Sequence, residues 1–279
     1  MKEEDASLAD HVVYRPREIT AMGNRKLGVV AWGNGGCSDD AASTRFHLLE
    51  LASHGYLVIA SGRVLSGPGA PPRPAQTAAP NAAPPGPPPA GQPRQLPPPK
   101  TSTAQLTQAI DWALKENARA GSPYQGRIDP GQIAVSGFSC GGLQAIAAAK
   151  DPRVRTAVFQ NTGIFDAGAS PMSGMTITKD ALKDIHTPVI YILGGPTDIA
   201  YKNGMDDFQK INHVPVAVAN IDKGHGGTYF QPNGGAAAMA VNWLQWQLRG
   251  DEKARAMFVG KDCGLCKDPE WKLEKKQIP

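Results

Sequence analysis

The run Gly137-Phe138-Ser139-Cys140-Gly141 sets a serine between two glycines at the spacing G-x-S-x-G. A strand-like stretch (132–136, QIAVS) precedes it and a helix-like stretch of small residues (143–150) follows it. A serine on so sharp a strand-to-helix turn sits in strained backbone, and the positions two before and two after it must lack side chains that would collide. Glycines 137 and 141 meet that need, and Gly142 would let the helix pack closely on the strand. The chemistry implied is nucleophilic. A hydroxyl attacks poorly near neutral pH, so it needs an imidazole to take its proton and a carboxylate to fix that imidazole's tautomer. The competing interpretation is an ordinary glycine-rich turn in which Ser139 caps the next helix.

Such a turn must be held by a sheet, and the chain has the elements for one. Short apolar runs at 25–32, 56–60, 132–136, 154–160, 189–193 and 214–219 predict buried strands. Between them, apolar residues at helical spacing predict helices over 43–54, 101–118, 143–150 and 234–248. The alternation predicts an α/β fold, a doubly wound, mostly parallel β-sheet flanked by helices, as a single domain over residues 1–279. Of the 25 prolines, 14 fall between Gly67 and Pro99. Proline fixes φ and removes a backbone donor, so 66–100 is expected to be an extended insertion: a tolerated surface loop, a lid or arm over a substrate, or a tether to a partner with a proline-binding groove. Residues 251–279 are expected as a C-terminal extension carrying Cys-Gly-Leu-Cys.

With 279 residues, 41% hydrophobic and 19% charged, the chain can build a core without disulfides. A net charge of +4 is too small and scattered to imply nucleic-acid binding. No apolar run reaches the length of a membrane span, so no membrane partner is expected. The polar start, residues 1–10, has no apolar segment of a signal peptide. A mature chain that has lost its leader looks the same, so the compartment stays open: secreted or periplasmic in that case, otherwise cytoplasmic.

The G-x-S-x-G in its strand-turn-helix setting, within this order of elements, resembles the α/β-hydrolase superfamily, and the resemblance runs from the strand at Leu27 to the helix ending near Leu248. Family topology implies the order Ser, Asp, His, with the acid and the histidine in loops after later strands. It implies Asp198 after the strand 189–193 and His225 after 214–219 as partners of Ser139, with Asp222, Asp206 and Asp207 as alternative acids. His11, His47, His54, His186 and His213 lie before strands or in and beside helices, and are expected to be surface or helix-end residues. The family's oxyanion hole implies the backbone N–H of Cys140 and a second donor from Gly33 to Cys37, where Asn34 replaces a histidine common in relatives; Gly36 is the choice here. If that hole forms, the backbones of Cys37 and Cys140 approach each other. They would then form a disulfide and favour an oxidising compartment, or remain small buried thiols. Cys263 and Cys266 would pair or stay free, and four cysteines allow three connectivities. A thioredoxin-type role for them is disfavoured because they follow the last expected helix.

Within the superfamily the chain looks closest to the dienelactone-hydrolase-like, chlorophyllase-like and polyester-hydrolase-like branch, without a large cap domain. It differs from dienelactone hydrolases, which use a cysteine nucleophile, and from polyester hydrolases, which usually have Met at the place of Cys140. The implied activity is that of a serine esterase acting on carbohydrate, aromatic-acid or polyester esters as a monomer, with no cofactor and no metal. The rivals are an inactive binding protein of the same fold and an amidase or acyltransferase on the same residues. Substrate contacts are expected from Phe138, Ile199, Tyr201 and Tyr229, which neighbour these residues, and from 171–178 with its two methionines.

Overall fold

The computed structural model describes residues 1–72, 98–166 and 176–279. Most of the insertion expected over 66–100, and residues 171–175 of the methionine-containing stretch, lie outside the described residues. In chain order the elements are β1 (Lys2–Glu3), β2 (His11–Tyr14), β3 (Leu27–Gly33), α1 (Arg45–Ser53), β4 (Tyr56–Ser61), α2 (Thr103–Ala118), β5 (Ile128–Phe138), α3 (Cys140–Ala148), β6 (Thr156–Gln160) and β7 (Val189–Leu193). They continue with α4 (Tyr201–Lys210), β8 (Val216–Ile221), α5 (Gly235–Arg249), α6 (Glu252–Arg255), α7 (Gly264–Lys267) and β9 (Trp271–Lys276).

Among the described residues the strands make one sheet in the order β1-β2-β4-β3-β5-β6-β7-β8-β9. From β4 to β8 in that order the pairing is parallel, while β1, β2 and β9 add antiparallel edges. The central strands are apolar on both faces because helices cover both faces. Alternate side chains divide between the two layers. Val29, Ala31, Leu57 and Ile59 pack with Leu106 and Ile110 of α2, Leu143 and Ile146 of α3 and Phe208 of α4. Val30, Trp32, Val58 and Ala60 pack with Leu48 and Leu51 of α1 and Met239 and Trp243 of α5. No helix among the described residues is long and apolar enough to cross a membrane.

The expected strands and helices are present with shifted ends, and no large cap is seen among the described residues. Six elements were not expected: β1, β2, α4, β9 and the single-turn helices α6 and α7. β9 (WKLEKK) is half-exposed and rich in lysine, as suits an outer strand that must not recruit another chain. It pairs along its whole length with β8, so the C-terminal stretch completes the sheet. β1 and β2 are too short to show a pattern. α4 (YKNGMDDFQK) carries a mid-helix glycine, which argues against a helix in sequence. There the glycine permits contact, since a Cβ on Gly204 would lie 2.6 Å from the Thr162 carbonyl oxygen.

The C-terminal stretch is also anchored by packing. Phe258 is wholly buried, with its ring 5.2 Å from that of Trp243 and 5.6 Å from that of Trp246. Phe258→Ala is expected to cost about 3–5 kcal/mol of stability, read as a lowered midpoint in urea denaturation.

Candidate functional site

The loops at the carboxyl ends of β3, β5, β6, β7 and β8 build the site, the usual location in an open α/β sheet. β5 runs straight into Ser139, whose φ of +55° and ψ of −121° are strained for a non-glycine residue, and α3 starts one residue later. A Cβ on Gly137 would lie 2.2 Å from the Gly141 carbonyl oxygen, and one on Gly141 would lie 2.0 Å from the Gly33 carbonyl carbon. The expected steric reason for both glycines therefore holds. Gly142 serves differently from expectation: its close neighbour is Thr162, whose Cγ2 would lie 2.5 Å from a Cβ there, in the loop after β6. Thr162 in turn donates its hydroxyl to the Ser139 carbonyl at 2.8 Å.

Ser139 occupies the cap position of α3, yet its hydroxyl makes no capping bond. Its Oγ lies 2.9 Å from His225 Nε2, and His225 Nδ1 lies 2.6 Å from Asp198 Oδ1. The three side chains from separate loops thus form one hydrogen-bonded line. Asp198 is buried, and each of its oxygens has two partners. Oδ1 also accepts the Ala200 N–H, and Oδ2 accepts the Gly194 N–H and the Asn161 amide. Burial alone would raise the Asp198 carboxyl, but the hydrogen bonds from His225, Ala200 and Gly194 outweigh it and hold the pKa below the ordinary value. An ionised acid beside an imidazole that faces a hydroxyl is equipped to accept that hydroxyl's proton.

The alternative acids are engaged elsewhere. Asp222 accepts the Thr197 hydroxyl at 3.2 Å. Asp206 pairs with Lys179 and Lys210. Asp207, pushed up to about 6 by burial, receives Lys179 and the Ile164 N–H.

Among the described residues, the backbone N–H groups of Cys140 and Gly36 donate no hydrogen bond within the protein. Gly36 (φ +63°) has open space where a side chain would stand. Cys37 and Cys140 are joined as a disulfide, Cα to Cα 5.2 Å, which ties the residue after Gly36 to the residue after Ser139. Asn34 is wholly buried and donates to the Ser38 and Ser61 carbonyls, so it staples this loop to the end of β4. The Cys37 carbonyl accepts the N–H groups of Lys100 and Thr101. Cys263 and Cys266 also pair, and contrary to the expected placement they open a helix, the single turn of α7. Among the described residues no three His, Cys, Asp or Glu side chains cluster as metal ligands.

No family model matches the sequence, and no curated protein does.

The expected substrate contacts fare unequally. Ile199, next to Asp198, is 78% exposed. Phe138 is buried, its ring 4.6 Å from that of Tyr229 and 5.4 Å from the His225 imidazole, so it supports the imidazole's loop. Tyr229 is wholly buried and its hydroxyl donates to Asn161, which corrects the expectation that it touches substrate. Tyr201 lines a groove of about 360 Å³ with Gly195, Asn220, Asp222 and Lys223, apart from Ser139. Phe230, which the sequence analysis does not single out, is 53% exposed with its ring 6.1 Å from that of Phe138. The aromatic pair Tyr229-Phe230 was the available signal; the turn exposes the second ring.

Two histidines depart from the expected surface positions. His11 is buried, its ring nitrogens near the Ala9 and Gln105 carbonyls. His47 is buried between the rings of Trp32 and Tyr229, with Nε2 3.0 Å from the Gln160 amide nitrogen. Burial lowers the His47 pKa from 6.5 to about 3, so the fold holds it neutral. The unfolded chain takes up a proton there below 6.5 and the folded chain does not until about 3. This contribution is therefore full above pH 6.5 and is lost as pH falls towards 3, at up to about 1.4 kcal/mol per pH unit. Denaturation at pH 6.5, 5.5 and 4.5 is expected to show that slope reduced in His47→Gln.

Proposed function

We propose that this protein is a serine hydrolase that cleaves carboxylic esters through Ser139, His225 and Asp198. The observation that carries this reading is the Ser139 hydroxyl, which forgoes its helix and bonds an imidazole backed by a buried, fully hydrogen-bonded carboxylate. In this reading Ser139 Oγ attacks the ester carbonyl carbon as His225 Nε2 takes its proton, and the carbonyl oxygen becomes an oxyanion beside the Cys140 and Gly36 N–H groups. The C–O bond to the alcohol then breaks, and the departing alkoxide takes the proton from His225. The acyl group stays on Ser139. Water repeats the sequence, giving its proton to His225 as it attacks, and Ser139 recovers a proton when the acid leaves.

The likeness in element order supports a place near the dienelactone-hydrolase-like and polyester-hydrolase-like branch of the α/β-hydrolases. Ile199 and Phe230 are two of the four exposed large apolar side chains among the described residues. Ile199 directly follows Asp198, and the Phe230 ring lies 6.1 Å from that of Phe138, itself 5.4 Å from the His225 ring; apolar surface so placed favours aromatic-acid or polyester esters over carbohydrate esters with small acyl groups. Disulfide pairing of all four cysteines supports maturation in an oxidising compartment.

Purified protein is expected to release p-nitrophenol from short-chain esters and to be labelled once by a serine-directed phosphonate. Ser139→Ala should abolish both while leaving the circular dichroism spectrum unchanged. Silence of the parent protein in both assays would favour a binding protein, and faster turnover of amides or acceptor alcohols would favour an amidase or acyltransferase. The double variant Cys37→Ser/Cys140→Ser, which frees the loop bearing one oxyanion donor, is expected to lower kcat at least about tenfold, since a lost donor typically costs about 10²–10³. Steady-state kinetics per phosphonate-titrated site checks this.

A further inference from the structure

Asn161 follows directly after β6 with a φ of +43°, a left-handed conformation for a residue that is 1% exposed. Its N–H donates to the Ile192 carbonyl at 2.8 Å, which fixes its backbone to β7. Its side chain joins three parts of the site. Nδ2 donates to Asp198 Oδ2 at 2.8 Å and to the carbonyl of Gly224, the residue before His225, at 3.2 Å. Oδ1 accepts the Tyr229 hydroxyl. The chemistry of the partners sets the direction of this amide. A carboxylate and a carbonyl both accept, so only the NH₂ end can face them, and the carbonyl end must meet a donor. Tyr229 is that donor. Burial, with the Asp198 charge added, pushes its phenol well above the ordinary value and keeps the proton on oxygen. The amide is thus pinned from both ends, and its two hydrogens hold the acid's outer oxygen and the loop that carries the base. Gly194 leaves room for it, since a Cβ there would lie 2.8 Å from Asn161 Nδ2.

We propose that Asn161, oriented by the Tyr229 hydroxyl, is a positioning residue that fixes Asp198 and the His225 loop relative to each other so that the imidazole meets Ser139. The claim rests on the esterase reading for its kinetic consequence and on the hydrogen-bond geometry alone for its structural one. A residue left in a strained conformation deep in the protein is retained where its surroundings over-determine it. Here they do so through four hydrogen bonds, three of them from the side chain to the two loops of the site.

The test compares Asn161→Ala, Tyr229→Phe and the double variant with the parent protein. Tyr229→Phe keeps the ring that packs on Phe138 and removes only the hydroxyl, so it serves where Asn161→Ala folds poorly. With kcat expressed per phosphonate-titrated site, Asn161→Ala is expected to lower kcat on the order of 10²-fold with KM within about twofold of the parent, because a misplaced base slows chemistry without weakening binding. Tyr229→Phe should lower kcat about tenfold, the worth of one buried hydrogen bond. The double variant should be no worse than Asn161→Ala, because the two residues act in series. Proton NMR supplies a second readout: the downfield resonance of the His225 Nδ1 proton shared with Asp198 should be present in the parent protein and lost or broadened in both single variants. Titrated kcat values within about twofold of the parent, or an unchanged resonance in both single variants, would overturn the proposal. If the parent neither turns over esters nor takes the phosphonate, the esterase reading fails, and the NMR comparison alone then decides the positioning role.

Discussion

The constraint on which the site depends is a backbone-to-backbone crossing. Where β3, β5 and α3 meet, Gly33, Gly137 and Gly141 approach so closely that a Cβ on any of them would lie 2.0–2.4 Å from a neighbouring backbone atom. That crossing forces β5 to turn into α3 within one residue and leaves Ser139 at positive φ with its side chain outside both elements. The hydroxyl is freed from capping because the turn aims it away from the helix. The same approach brings the loop after β3 alongside the first turn of α3, where the Gly36 and Cys140 N–H groups have no partner among the described residues. The outward Ser139 hydroxyl and the neighbouring N–H groups are consequences of one steric arrangement.

Electrostatics completes what sterics begins. A buried carboxylate is costly unless its lone pairs are filled. Asp198 meets that condition with donors from its own loop, from the end of β6 and from the imidazole. Each donor also limits the carboxylate's freedom, so the interactions that make the charge tolerable also orient it. Beneath this set lies a ring-lined layer of His47, Tyr229 and Phe138, with no proton to exchange near neutrality because burial keeps His47 uncharged. The layer supports the His225 loop from the core side and contributes no competing charge.

Much of the fold and of the central line was legible in the sequence. Strands apolar on both faces announce themselves as short runs such as YLVIA, and a G-x-S-x-G between a strand and a helix carries its own steric meaning. Three kinds of feature were not legible. Edge strands such as β9 alternate charge with weak apolarity and gain their structure from pairing, which is a property of the neighbour. α4 hides behind a glycine whose value lies in a contact with the loop after β6. Supporting polar residues such as Asn161 have no local signature, because their partners lie 37 and 68 residues away in sequence. The expected contacts were drawn from sequence adjacency to Asp198 and His225. Adjacency in sequence says nothing of direction: Ile199 beside Asp198 is exposed, whereas Tyr229, close after His225, is wholly buried.

The placement of the Cys37–Cys140 bond bears on the proline-rich insertion. In sequence the bond spans 103 residues and encloses all of 66–100. Chain-entropy reasoning assigns a closed loop of about 100 residues a stabilisation of about 4.7 kcal/mol. The larger consequence is local. Lys100, the last residue of the insertion, and Thr101, the next, hydrogen-bond to the Cys37 carbonyl, and Thr101 also accepts from Gln144 of α3. The base of the insertion is therefore fastened to the same two segments that the disulfide joins. Loop-closure entropy grows only slowly with length, so closing a long insertion between these anchors costs little more than closing a short one. The described end of the insertion therefore shares its anchorage with the loop that carries Gly36 and with the first helix turn after Ser139.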